Sequence, residues 1–435
     1  MKTKTLDTET KKKIGLALSG GGYRAAAYHI GTLRALNRLG ILDNVDVISS
    51  VSGGSITAAY YALHKGNYEE FEQSFIAKLQ KGVLLLSVIN LITIILLIGI
   101  SVWLLGWWML LPDLILLFFF GFKLLPLSVW IEKAYNKLFF HHAKLSDLPE
   151  TPMLAINATN VATGTLFTFS RLKMTGYEYE GKDKKQMFKT EKFPVARAVM
   201  ASSCVPFAFS PITIGKQHYA VNANELKPKP LLVDGGLYDN QGAHKLSEKT
   251  SAYHTQLNIV SDADVAEMSS KWAFNIPLML AKTSNIMMRR IKAFQVRDNI
   301  YTHNSDMRYA YLSLMWDASD RPIKGFVDNI SEGHIAPELY DYHHLKAQDI
   351  EELNSKEENI RTAASERIIA QLKQNIAWHQ LSTIVPTNEE HDVAKAVGTN
   401  LTALKEKQIK ALIKHSNWLT EVQVRLYLPY LITIK

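Results

Sequence analysis

The chain has 435 residues, 47% of them hydrophobic, enough for one large domain with additions or for two. Its net charge is +8 and its pI about 9.1. Apart from Lys11, Lys12 and Lys13 the cations are scattered, with no dense basic block among aromatics, which disfavours nucleic acid relative to an anionic membrane surface. The single cysteine, Cys204, excludes an internal disulfide framework and a thiolate metal cluster.

The opening "MKTKTLDTETKKK" has no apolar core and does not read as a secretory signal. "IGLAL" (14–18) predicts a strand, "SGGG" (19–22) a turn, and 25–39 a helix that Gly40 stops. A second strand is expected over 45–49, a serine-glycine turn over 50–55 and a helix over 56–64. This βαβα order predicts a parallel sheet with helices packed on it.

Gly20, Gly21 and Gly22 lie between a strand and a helix, where bare backbone N–H groups can face an anion. The anion can be a dinucleotide pyrophosphate, since Gly20–Ala25 also fits G-x-G-x-x-A, although the acid that fingerprint needs, Asp46, stands at the start of its strand. It can equally be the oxyanion of an acyl-transfer intermediate, and a plain tight turn is a third possibility. The following turn, "ISSVSGGSIT" (48–57), favours acyl transfer. It resembles the G-x-S-x-G nucleophile elbow, with Ser50 in place of the first glycine and Ser52 at the apex. The N–H of Gly53 would then join the oxyanion donors of Gly20–Gly22.

Between residues 83 and 130 only Asp113 and Lys123 are charged, and 83–105 carries no charge at all. A bilayer core of ~30 Å needs roughly 20 apolar helical residues, so this arm can span. "GWWMLLPD" (106–113) suits an interfacial turn, and 114–131 runs back, interrupted by Lys123 and Pro126. The second arm is the weaker, and a re-entrant or interfacial course fits it as well, with Lys123 snorkelling. Lys78, Lys81, Lys133 and Lys137 flank the block and put both ends in the cytoplasm. The alternative is a hairpin buried in a soluble protein.

A nucleophilic serine needs a base. None of the fourteen histidines stands in a recognisable context; His29, His64, His141 and His142 read as structural. "PLLVDGGLYDN" (230–240) instead ends an apolar strand in Asp234 followed by two glycines, leaving a carboxylate accessible on a turn. An Asp-Gly-Gly turn without chemistry is the alternative, and Asp239 is a decoy five residues on; paired with the serine elbow, Asp234 can act directly as base in a dyad that needs no histidine.

Four ordered blocks resemble the patatin-like phospholipase family: "GLALSGGGYRAAAYHIGTLRAL", "ISSVSGGSITAAYYAL", "ARAVMASSCVPFAFSPI" and "LVDGGLYDNQG". "NIVSDA" (258–263) is similar to that family's next core strand, and "VGTNLTALKEKQIKALI" (397–413) to the helical tail of its bacterial members. The resemblance implies a three-layer α/β fold with a mainly parallel sheet. The catalytic domain would comprise 1–81 and 132–270, with a transmembrane hairpin inserted at 82–131 and a mainly helical region over 271–435. It also implies Ser52 as nucleophile, Asp234 as base, Gly20, Gly21 and Gly22 with Gly53 as the oxyanion hole, and Arg24 as a basic residue that orients the loop or attracts a phosphate. No metal or cofactor is implied.

The expected protein is therefore a lipid acyl hydrolase of phospholipase A or lysophospholipase type. It would be anchored in a bacterial inner membrane through 83–131, with its catalytic domain on the cytoplasmic side. Ser50, and Ala25 in place of the family's glycine after Arg24, depart from the pattern without removing a reacting group. The rival expectations are a non-catalytic lipid-binding protein on the same fold and a dinucleotide-dependent enzyme. Beyond residue 245 the charged helices read as a solvated layer around the sheet, with "MMRRIK" (287–292) on a solvated face rather than against headgroups.

Overall fold

The computed structural model describes residues 12–124, 126–179, 186–206, 208–222, 228–265, 276–297 and 307–433; the stretch that reads as lacking a signal core lies outside them up to residue 11. Strands β1 (Ile14–Leu18) and β2 (Val47–Val51) are buried along their whole length, as strands of a parallel sheet covered on both faces must be. Helix α1 (Gly22–Arg38) connects them and ends before Gly40, whose φ of 70° is the expected left-handed stop. Helix α2 (Gly53–Leu63) starts earlier than composition suggests. Its first two residues are glycines because nothing larger fits. A Cβ at Gly53 would stand 2.1 Å from the Gly22 carbonyl oxygen, and one at Gly54 2.3 Å from that of Leu18.

After α3 (Tyr68–Leu79) the chain leaves the body as α4 (Leu85–Leu105) and returns as α5 (Leu110–Leu124) and α6 (Leu127–Tyr135). Gly106 (φ 100°) and a turn over Trp107–Met109 join the arms. Large apolar side chains from Val88 to Leu124 face outward, Trp103, Trp107 and Phe118 at 80% or more. Trp107–Phe140 is long and apolar enough to cross a membrane, judged by length and composition, and the first arm, α4, is an uncharged apolar helix of 21 residues. The roots belong to the body: Val83, Ser128, Ile131 and Tyr135 are buried.

The remaining strands are β3 (Met153–Asn160), β4 (Thr165–Phe169), β5 (Met174–Gly176), β6 (Ile212–Thr213), β7 (Leu231–Asp234), β8 (Leu257–Asp262) and β9 (Arg308–Ser313). Among them run helices α7 (Val195–Ser202), α8 (Gly236–Asp239), α9 (His244–Ser247) and α10 (Ile276–Gln295). Among the described residues all nine strands join one sheet in the order β5-β4-β3-β2-β1-β8-β9, with β7 on β3 and β6 on β7. The run β3-β2-β1-β8-β9 is parallel, while β4, β5, β6 and β7 pair antiparallel.

The C-terminal part contains α11 (Arg321–Ser331), α12 (Pro337–Tyr342), α13 (Ala347–Glu352), α14 (Glu358–Asn375), α15 (Trp378–Leu381), α16 (Asn388–Lys395) and α17 (Glu406–Tyr427). It is not merely a solvated layer. β9 extends the sheet, and α17 packs along α1 with Trp418 fully buried. The alternation of "RYAYLS" is the strand signal for β9.

Sheet residues alternate between two cores. Leu16, Leu18, Ile48, Ile156 and Ile259 join the large core that includes α1, α2 and α17. Ala17, Val47, Ala155 and Val260 face a smaller cluster with Leu246 of α9, Tyr253, Tyr309 and Tyr311.

Candidate active site

β3 is longer than β2, and that difference builds the site. The β2–β3 ladder ends at Val51 opposite Asn157. The next β3 residue, Ala158, is opposite Asp234 of β7, which runs in antiparallel from the other direction. Ser52 and Asp234 therefore meet where two strands abut on a shared neighbour. β1 lies on the other side of β2, with Leu18 opposite Ser50, so the glycine turn that follows it reaches the same corner.

Ser52 has φ 51° and ψ −119°, a conformation that a non-glycine residue adopts at a cost of about 1–3 kcal/mol. Its neighbours hold it there. The Ser52 N–H donates to Ser202 Oγ (2.9 Å), and the Gly54 N–H donates to the Ser19 carbonyl (3.1 Å). Ser202 Oγ donates to the Asn157 carbonyl (2.6 Å) and lies 2.9 Å from Ser55 Oγ. Ser50 remains an ordinary β2 residue. It is buried, and its hydroxyl rests against the Ala155 carbonyl (3.3 Å) and Ser55 Oγ (3.1 Å). The missing elbow glycine is thus accommodated in the strand, and the positive φ falls on Ser52 itself.

The Asp234 carboxyl is 7% exposed, and burial pushes its pKa up to about 6; the Gly236 N–H and the Ser52 hydroxyl, both hydrogen-bonding to the carboxylate, pull against that rise. The Gly236 bond measures 2.7 Å. Thr159 Oγ1 donates to the Asp234 carbonyl (2.9 Å), and the Asp234 N–H donates to the Cys204 carbonyl (2.8 Å). The two following glycines are required by space. A Cβ at Gly235 would be 2.4 Å from the Asn157 carbonyl oxygen, and one at Gly236 2.9 Å from Asp234 Oδ1.

The N–H groups of Gly21, Gly22 and Gly53 have no hydrogen-bond partner among the described residues. Gly53 packs directly on Gly22, so two of the three are neighbours. Gly20 departs from its expected role, because its N–H donates to the Asn240 carbonyl (2.9 Å) and is not available to an oxyanion. Arg24 fits the loop-orienting one of its two expected roles. It is buried, with Nε donating to the Ala263 carbonyl (3.0 Å) and Nη1 to that of Val397 (3.2 Å). It fastens the start of α1 to Ala263 and Val397.

The decoys are occupied elsewhere. Asp239 accepts from the N–H groups of Gln241 (3.0 Å) and His244 (2.7 Å). Asp46 accepts from the Ile14 N–H (2.8 Å), a β1 entry contact rather than a ribose site. His29 is buried between Ser261 Oγ (2.9 Å) and the Ser19 carbonyl (3.0 Å), and burial lowers its pKa to about 4.

Sequence reasoning missed Ser202, Asn157, Asn240 and the strap over 397–404. The strap lies against the glycine turn: the Asn400 carbonyl accepts the Tyr23 N–H (2.9 Å), and a Cβ at Gly22 would be 2.5 Å from that oxygen. Ser202 lies in the third of the four blocks and the strap at the start of the 397–413 segment, but no spacing within either singles out these residues.

No curated protein sequence gives a match. Among solved structures, human GIVD cytosolic phospholipase A2 is similar at 12% identity and a TM-score of 0.45, over 95% of this chain and 61% of that one. The same human enzyme in complex with methyl gamma-linolenyl fluorophosphonate gives 14% identity and a TM-score of 0.44, over 95% and 57%. VipD from Legionella pneumophila gives 14% and 0.32, over 94% and 92%. The chain thus spans about three fifths of the human enzyme's length. The family model for patatin-like phospholipases matches residues 16–246, more than half of the chain and the part that holds both glycine turns, Ser52 and Asp234, so the chain belongs to the patatin-like phospholipase family.

Proposed function

We propose that the chain hydrolyses acyl ester bonds of membrane lipids through a Ser52–Asp234 dyad, while residues 83–131 hold it in the bilayer. Asp234 takes the proton of Ser52 as Oγ attacks the ester carbonyl carbon. The oxyanion that forms is met by the N–H groups of Gly21, Gly22 and Gly53. Collapse breaks the bond to the leaving alkoxide, to which protonated Asp234 returns the proton. Water then attacks the acyl-enzyme, Asp234 again taking and returning the proton, and the fatty acid leaves with Ser52 restored. A carboxyl that titrates near pH 6 suits this task. It is ionised at neutral pH and is a stronger base than an exposed aspartate.

What supports the reading is the register of β3, which sets Asp234 opposite Ala158 directly beyond the Val51–Asn157 pair, beside a serine with positive φ. The test is hydrolysis of phospholipid and lysophospholipid in vesicles, together with labelling by a fluorophosphonate. Ser52→Ala is expected to remove both, with a drop in kcat of at least about 10³. Undiminished hydrolysis and labelling in that variant would overturn the dyad.

A further inference from the structure

Between residues 276 and 297 the chain carries Lys282, Arg289, Arg290, Lys292 and Arg297 and no acidic residue. One side of α10 holds it to the body. Lys292 Nζ pairs with Asp262 (2.5 Å) and Asp264 (3.2 Å), and Arg289 donates to the Val265 carbonyl (3.4 Å). The other side presents Met279, Leu280, Ile286, Met287 and Phe294 to the outside, each 43–65% exposed. These positions follow the helical period and form one stripe. Arg290 and Arg297, at i−4 and i+3 of Phe294, each stand 5.1 Å from its ring centre, so cations lie within the stripe at its C-terminal end.

Position adds to composition. α10 packs on α8, the turn of helix that follows Asp234. Its anchor, Asp262, ends β8, and the next residue, Ala263, accepts from Arg24 beneath the glycine turn. Arg24 also reaches Val397 of the strap, and Leu401 of that strap accepts the Val83 N–H at the root of the hairpin. The stripe therefore stands at the sheet edge that carries the candidate site and from which the outward-facing apolar hairpin departs. Five large apolar side chains in line, interspersed with cations on a segment that has no Asp or Glu between 276 and 297, match an anionic lipid surface in both hydrophobicity and charge.

We propose that α10 lies in the headgroup region of an anionic bilayer, with Met279, Leu280, Ile286, Met287 and Phe294 at the acyl boundary and Arg290 and Arg297 toward lipid phosphates. It is a second membrane contact beside the hairpin, and it holds the Asp234 side of the site against the lipid. The use made of this contact rests on the lipid-hydrolase reading, but the contact itself does not.

The full chain with Met287→Cys is labelled with an environment-sensitive fluorophore; Cys204 is buried and leaves the introduced thiol as the reactive one. The labelled protein is reconstituted in vesicles of phosphatidylglycerol and phosphatidylcholine at 3:7, and in pure phosphatidylcholine. In the mixed vesicles the label is expected to shift to the blue, to be quenched by brominated acyl chains and to be shielded from iodide. Adding Arg290→Gln and Arg297→Gln is expected to weaken this response roughly fivefold per charge removed. A separate label at Ile95→Cys reports the hairpin alone, so failure of the hairpin reading shows there and not at 287. A label at 287 that stays open to iodide in the mixed vesicles overturns the proposal. So does a blue shift that follows protein concentration rather than lipid, which would assign the stripe to a second copy of the chain.

Discussion

Asp234 carries a cost that can be measured apart from any activity. The folded chain keeps this proton up to about pH 6, whereas an unfolded aspartate releases it near 3.8. Between those values the folded state binds more protons, so this group lowers stability as pH rises, and the deficit is complete above pH 6. Two pH units correspond to about 3 kcal/mol. Asp234→Asn is therefore expected to raise the stability measured by denaturant at pH 8 by up to about that amount, with the gain vanishing toward pH 4, while hydrolysis is lost. In the unaltered protein kcat/KM should fall tenfold per pH unit below about 6; a flat profile down to pH 4.5 would remove Asp234 as the base. Ser202 is the complementary case. Ser202→Ala leaves the buried Ser52 N–H without its acceptor, at a cost of about 1–3 kcal/mol. Because that bond braces a left-handed serine, kcat is expected to drop at least tenfold with little change in KM. Ser52 and Asp234 could be picked out from the sequence because each stands in a local glycine pattern. Ser202 could not, because one serine in "MASSCVP" has no spacing that ties it to an elbow 150 residues earlier.

The elements divide in the same way between local and distant causes. The βαβα start follows from apolar runs punctuated by glycine, and its strands fall within two residues of their expected bounds. That β7 runs antiparallel into the space beyond β2 is a fact of relative strand length, which no window along the chain contains. The packing of α17 on α1 is likewise set by a partner almost 400 residues away. A Cβ at Gly31 would lie 2.1 Å from both the Ile413 carbonyl oxygen and Ser416 Oγ, and Ser416 donates to the Tyr28 carbonyl (2.5 Å). Gly31→Ala must force the helices apart. It is expected to cost about 3 kcal/mol in a denaturant titration. An unchanged midpoint would show that the two helices are not in this contact.

The hairpin leaves a body that is complete without its exposed part but not without its roots. Val83, Ser128, Ile131 and Tyr135 are buried, so a deletion that tests the tether must stay within 88–124 and close the gap with a short flexible link. That variant is expected to stop sedimenting with phosphatidylcholine vesicles while still hydrolysing a short-chain soluble ester. Continued sedimentation with those neutral vesicles would overturn the tether. The outgoing arm begins at Val83, whose N–H is held by Leu401, one residue from the Asn400 carbonyl that closes on Tyr23 and Gly22. The returning arm brings Ser128 within 3.7 Å of Cys204 Sγ and Tyr135 within 3.3 Å of Ser203 Oγ, on the segment whose Cys204 carbonyl holds the Asp234 N–H. The two arms are thus rooted on opposite sides of Ser52. One root adjoins the glycine turn and the other the segment that holds Asp234, so a change in the spacing of the arms would reach Ser52 from both flanks.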